Sequence, residues 1–122
     1  MRGRVLAIPA LLFVVACDEP PPSATLREVP SAFVGAWDAS LGECGHGGSL
    51  AVSVAPNEIR FPDSTIVVTG VAPDGQDAAR VDGKFTSAEA SWNGAVRLEL
   101  ANGGRELNVV NGSTLAPRVR CP

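Results

Sequence analysis

The 122-residue sequence predicts a small all-β domain. Three observations predict it. No window of eleven or more residues carries apolar side chains at helical spacing. From Ala32 onward, short runs alternate apolar with polar or small residues. Gly, Asn, Asp and Pro separate those runs. Strands with one apolar face each hide that face best by closing on themselves. The expected architecture is therefore an antiparallel meander of about eight short strands, curling into a barrel or a strongly curved sheet. A two-sheet β-sandwich is the alternative.

Before that domain the chain reads differently. Residues 1–16 open with Arg2 and Arg4, and every residue from Val5 to Ala16 is apolar or proline. Twelve such residues are too few to span a bilayer, which takes about 20 in a helix. A positive start, a short apolar stretch and small residues before a break mark a secretory signal peptide. Residues 17–31 then hold Pro20, Pro21, Pro22 and Pro30. Three consecutive prolines make an extended, semi-rigid spacer. The β domain is expected over residues 32–122.

The break resembles a known signal. Val14-Val15-Ala16-Cys17 is similar to the lipobox of bacterial lipoproteins, in which an aliphatic, a variable and a small residue precede a cysteine. The resemblance implies cleavage after Ala16 and lipidation of the Cys17 thiol by several acyl chains. Its implied partner is a membrane, reached through that lipid, since two or more chains anchor stably. It implies a cell-envelope location facing the periplasm or the outside. Asp18 resembles the residue that retains enteric lipoproteins at the inner membrane.

Charge supports a lipid anchor over an electrostatic one. Loss of Arg2 and Arg4 leaves eight basic side chains against thirteen acidic ones, a net charge of about −5. Nucleic acid and anionic lipid both demand a basic face. With Cys17 acylated, Cys44 and Cys121 remain as a pair, and an oxidising compartment makes their disulfide the expected state. Two free thiols, or a metal site built on Cys44 and His46, are the alternatives. A metal site needs three or four ligands and this spacing supplies two, so no metal and no cofactor is expected.

The strands are expected around Leu50-Val52-Val54, Ile59-Phe61, Ile66-Val68, Ala79-Val81, Ala88-Ala90, Val96-Leu98-Leu100, Leu107-Val109 and Val119-Cys121. Apolar residues should oppose apolar ones across each pair. Pro73-Asp74-Gly75 should join two strands with Val68 opposite Val81. Asp82-Gly83 reads either as a further turn or as a bulge. At Trp92-Asn93-Gly94, a three-residue loop with a left-handed Gly94 opposes Ala90 with Val96 and Ala88 with Leu98. That loop also sets Glu89 against Arg97. A turn at Asn102-Gly103 or at Gly103-Gly104 keeps the faces correct. The second opposes Leu100 with Leu107 and avoids pairing Glu99 with Glu106.

Few residues suggest chemistry. Phe33-Val34-Gly35-Ala36-Trp37 carries a G-x-W that resembles the first strand of the lipocalin group and of small periplasmic inhibitors of secreted metalloproteases. That resemblance implies Trp37 at the barrel floor, with Gly35 allowing close approach. Trp92 is the one aromatic expected at a turn, as a binding platform or as a ring folded over the mouth. The loop Gly42-Glu43-Cys44-Gly45-His46-Gly47-Gly48-Ser49 lacks the Lys-Ser/Thr ending of a phosphate loop. His46 and Ser49 lack a nucleophile elbow and an orienting acid, so no enzyme is expected. Two functions stand: a binding or inhibitory barrel of unknown ligand, or a structural or assembly accessory of the envelope.

Overall fold

The computed structural model describes residues 26–112 and 114–122. The expected cleavage after Ala16 and lipidation of Cys17, and Asp18, lie outside the described residues. Eight antiparallel strands form one closed barrel in sequence order: β1 Gly35–Asp38, β2 Val52–Ala55, β3 Glu58–Arg60, β4 Ser64–Pro73, β5 Ala78–Ser87, β6 Ser91–Ala101, β7 Glu106–Asn111 and β8 Thr114–Arg120. Pairing of β1 with β8, Trp37 opposite Arg120, closes the ring. The barrel therefore holds and the two-sheet sandwich does not.

Alternation along the strands decides which side chains enter the interior. Val52 and Val54 on β2 face in, as do Ile59, Ile66, Val81, Val96, Leu98 and Leu107, and all are buried. They form a single core cluster with Trp37, Val71, Phe85 and Val109. Burying each large aliphatic or aromatic side chain contributes about 1.5–3 kcal/mol.

The longest hairpin differs from the sequence expectation. Strand β5 continues to Ser87 and β6 begins at Ser91, with Phe85 opposite Trp92 and Gly83 opposite Gly94. Trp92-Asn93-Gly94 is therefore strand, and Ala88 lies in the tight connection that ends at Ala90. The Ser87 hydroxyl accepts from the amides of Glu89 and Ala90, and the Ser87 amide donates to the Ala90 carbonyl. A serine turn has displaced the Asn-Gly turn. The register places Val81 opposite Val96 and Ala79 opposite Leu98. Arg97 does not meet Glu89; it pairs with Asp74 at 2.9 Å and Glu99 at 2.8 Å.

Two other connections and the Asp82-Gly83 position are also settled. The Pro73-Asp74-Gly75 turn joins β4 and β5, but Val71 rather than Val68 opposes Val81. Asp82-Gly83 is neither turn nor bulge; the irregularity lies across from it, between Val68 and Gly70. Leu100 opposes Leu107 and Ala101 opposes Glu106, across a short 3-10 turn at Asn102–Gly104.

The final strand also departs from the alternation. Val119 and Cys121 are not its inward face. Arg118 lies opposite the fully buried Leu107, and Arg120 lies opposite the buried Trp37, so the arginines point inward.

Candidate functional site

The two ends of the barrel differ. The start of β1, the end of β8 and the β2–β3, β4–β5 and β6–β7 turns gather at one end. At this end a short 3-10 turn, Ser31–Phe33, precedes β1 and buries Phe33. Leu26 and Val71 exchange backbone hydrogen bonds at 2.7 Å, and the Val29 amide donates to the Pro56 carbonyl. The stretch from Leu26 to Phe33 thus lies against the barrel.

Trp37 sits beneath this cover, 1% exposed, and its indole N–H donates to the Phe33 carbonyl at 3.1 Å. The Arg120 guanidinium lies 4.2 Å from the Trp37 ring centroid, within the range of a cation–π contact. Its nitrogens donate to the carbonyls of Val34 at 3.0 Å, Ala32 at 2.8 Å and Gly104 at 3.4 Å. One side chain from the last strand therefore ties the entry segment, β1 and the β6–β7 turn together. Gly35 makes this approach feasible: its φ is +147°, and a Cβ there would meet Arg120 Nη1 at 3.0 Å.

The opposite end is open. A pocket of about 630 Å³ lies between the β3–β4, β5–β6 and β7–β8 connections. Phe61, Phe85, Trp92, Val96 and Val109 form its apolar wall, and Arg118 also lines it. Phe85 and Trp92 stack with ring centroids 5.5 Å apart. Gly94 makes room for this stack, since a Cβ there would lie 3.2 Å from the Phe85 ring. Trp92 remains 46% exposed, whereas Phe85 is buried. Asp63 and Glu89, both exposed, stand at the rim.

Arg118 is only 6% exposed. Its Nε donates to the Leu50 carbonyl, and its Nη1 donates to Ala116 at 2.8 Å. Strand β1 meets β8 only at Trp37–Arg120 and Asp38–Val119. The contact to Leu50 therefore bridges the seam beyond the end of β1. Burial pulls the guanidinium below its ordinary pKa, and the neighbouring Asp38 opposes that pull. Asp38 is itself buried and accepts from the Ala39 amide at 2.8 Å.

The glycine-rich loop between β1 and β2 carries Cys44, which is bonded to Cys121 with their Cα atoms 5.8 Å apart. Cys121 also donates its amide to the outward-facing Ala36. The loop is thus fastened to the outside of the barrel near its closed end. Cys44 is not a free thiolate, so the Cys44–His46 metal alternative falls. His46 and Ser49 are exposed on this loop, away from the pocket. Among the described residues, no group of three or more His, Cys, Asp or Glu side chains is placed to hold a metal ion.

The structure therefore puts Trp37 at the closed end and Trp92 at the open rim, so the two tryptophans do not share a site. Sequence reasoning missed Arg118 and Arg120. Their only signal is their spacing, two apart on a strand whose neighbours are apolar.

The chain matches no protein-family model, no curated protein and no solved structure.

Proposed function

We propose that this chain is a lipid-anchored protein of the bacterial cell envelope whose barrel binds a ligand in its open end. The observation that carries the binding part is the asymmetry of the two ends. Phe33, Trp37 and Arg120 close the interior at one end, where a larger groove of about 1330 Å³ lies outside them; the other end opens into a pocket of about 630 Å³ with both apolar and polar lining. Binding pockets for small molecules typically hold about 300–1,000 Å³ and combine apolar walls with a few polar groups. The anchoring part rests on the lipobox-like Val14-Val15-Ala16-Cys17. The Cys44–Cys121 disulfide agrees with an exported protein. In this reading the part of the spacer before Leu26, with Pro20, Pro21 and Pro22, holds the barrel off the membrane, and the protein captures or presents its ligand without altering it.

The test is mass spectrometry of the protein purified from bacterial membranes. Under denaturing conditions the chain should begin at Cys17 and carry the added mass of acyl chains. Under native conditions a fraction should retain a small molecule. An unprocessed start or an unacylated first residue contradicts the anchoring, and a uniformly bare chain favours an accessory role without ligand.

A further inference from the structure

Resting on the ligand-binding reading above, we infer that the ligand is a small monocarboxylate with an apolar body, its carboxylate held by Arg118. A buried charge is costly unless it is paired and hydrogen-bonded. Arg118 is 6% exposed, yet among the described residues no carboxylate lies within ion-pair distance of it. Asp38 acts on it only through its field. Two of the three guanidinium nitrogens are occupied, by the carbonyls of Leu50 and Ala116. Nη2 makes no hydrogen bond among the described residues, and since no buried side-chain nitrogen or oxygen there lacks a partner, Nη2 is open to solvent from the pocket that its side chain lines.

Carbonyls satisfy donors without neutralising charge. An anion arriving from the pocket would do both, and the planar guanidinium suits a carboxylate. The apolar wall of Phe85, Trp92, Val96 and Val109 accounts for the rest of the ligand. The rim limits its charge. Asp63 and Glu89 stand against the single cation below them, so a dianion such as a phosphate monoester meets more repulsion than one arginine offsets.

The experiment uses the full-length protein in nanodiscs, titrated by calorimetry with octanoate, 1-octanol or octylamine, with empty nanodiscs subtracted. Octanoate should bind at least about tenfold more tightly than octanol, the expected size of a charge-assisted hydrogen bond. Octylamine should bind least well. Arg118→Met should abolish the preference for octanoate while leaving octanol binding in place, and Arg118→Lys should keep part of it. Ala116→Trp leaves Arg118 intact but fills the mouth, so it should remove binding of both probes even if Arg118→Met fails to fold. Octanol binding as tightly as octanoate to the unaltered protein would overturn the carboxylate assignment and leave the ligand pocket standing. Binding of none of the probes would overturn the assignment too. Retention of some other molecule in the native mass spectrum would then keep the general binding reading alive.

Discussion

At Gly83 the barrel wall has no room for a side chain. A Cβ there would lie 2.4 Å from the Val67 carbonyl oxygen and 2.6 Å from Ile66 Cγ2, where β4 crowds onto β5 beside the bulge. Backbone atoms cannot yield as a flexible side chain does. Gly83→Ala should therefore destabilise the fold by about 1–3 kcal/mol, read as a lower urea midpoint. Arg120 presents the opposite case, a side chain with many partners. Arg120→Met would strip donors from the carbonyls of Val34, Ala32 and Gly104 and remove the cation from Trp37. A loss of about 2–4 kcal/mol is expected in the same measurement. Neither arginine of the interior was legible as such. In Arg118-Val119-Arg120 the alternation admits two registers, and burial of the valine is the default choice. The arginines win because carbonyls at strand ends and an indole face are waiting for them, which no local pattern announces.

Among the elements, the strands of β2, β3 and β7 were legible because each pairs an alternating apolar run with a turn signal beside it. The β5–β6 hairpin was not. Asn93-Gly94 carries the strongest two-residue turn signal in that region, yet Gly94 is small because the Phe85 ring lies over it, not because the chain reverses there. The true reversal depends on hydrogen bonds of the Ser87 side chain, a weaker sequence signal. A one-residue insertion separates the two registers. Placed between Ala88 and Glu89, a glycine should leave a cooperative thermal transition. Placed between Asn93 and Gly94, it reverses the faces of one side of the strand relative to its partner. The second insertion should abolish that transition or lower its midpoint by more than 10 °C, on the order of a 2 kcal/mol loss for a domain of this size. The disulfide belongs to this scale as well, since it fastens the β1–β2 loop to the end of β8 across 77 residues. Closing so long a loop restricts the unfolded chain, so Cys44→Ser should cost about 4 kcal/mol under oxidising conditions. The same substitution should cost little in a reductant strong enough to open the bond in the parent.

For the molecule as a whole, closure follows from strand count and alternation, both of which the sequence carries. The polarity of the barrel follows from neither. It arises because the segment from Leu26 to Phe33 folds across one end. The placement of the two tryptophans at opposite ends is a consequence of that polarity. The same placement explains why the candidate pocket was illegible: its walls come from the β3–β4 connection and from β4, β5, β6, β7 and β8, whose inward faces meet across the interior only when the ring closes.

That polarity is what the functional reading stands on, and the tryptophans report it. Trp37 and Trp92 are the only two in the chain, 1% and 46% exposed. In a Trp92→Phe variant, which keeps the aromatic contact with Phe85, all tryptophan emission comes from Trp37. Acrylamide quenching should then fall several-fold below that of the parent protein, with emission shifted to the blue. Quenching of the variant as efficient as that of the parent would mean that the Trp37 end admits solvent, and a barrel sealed at one end and open at the other would be the wrong description.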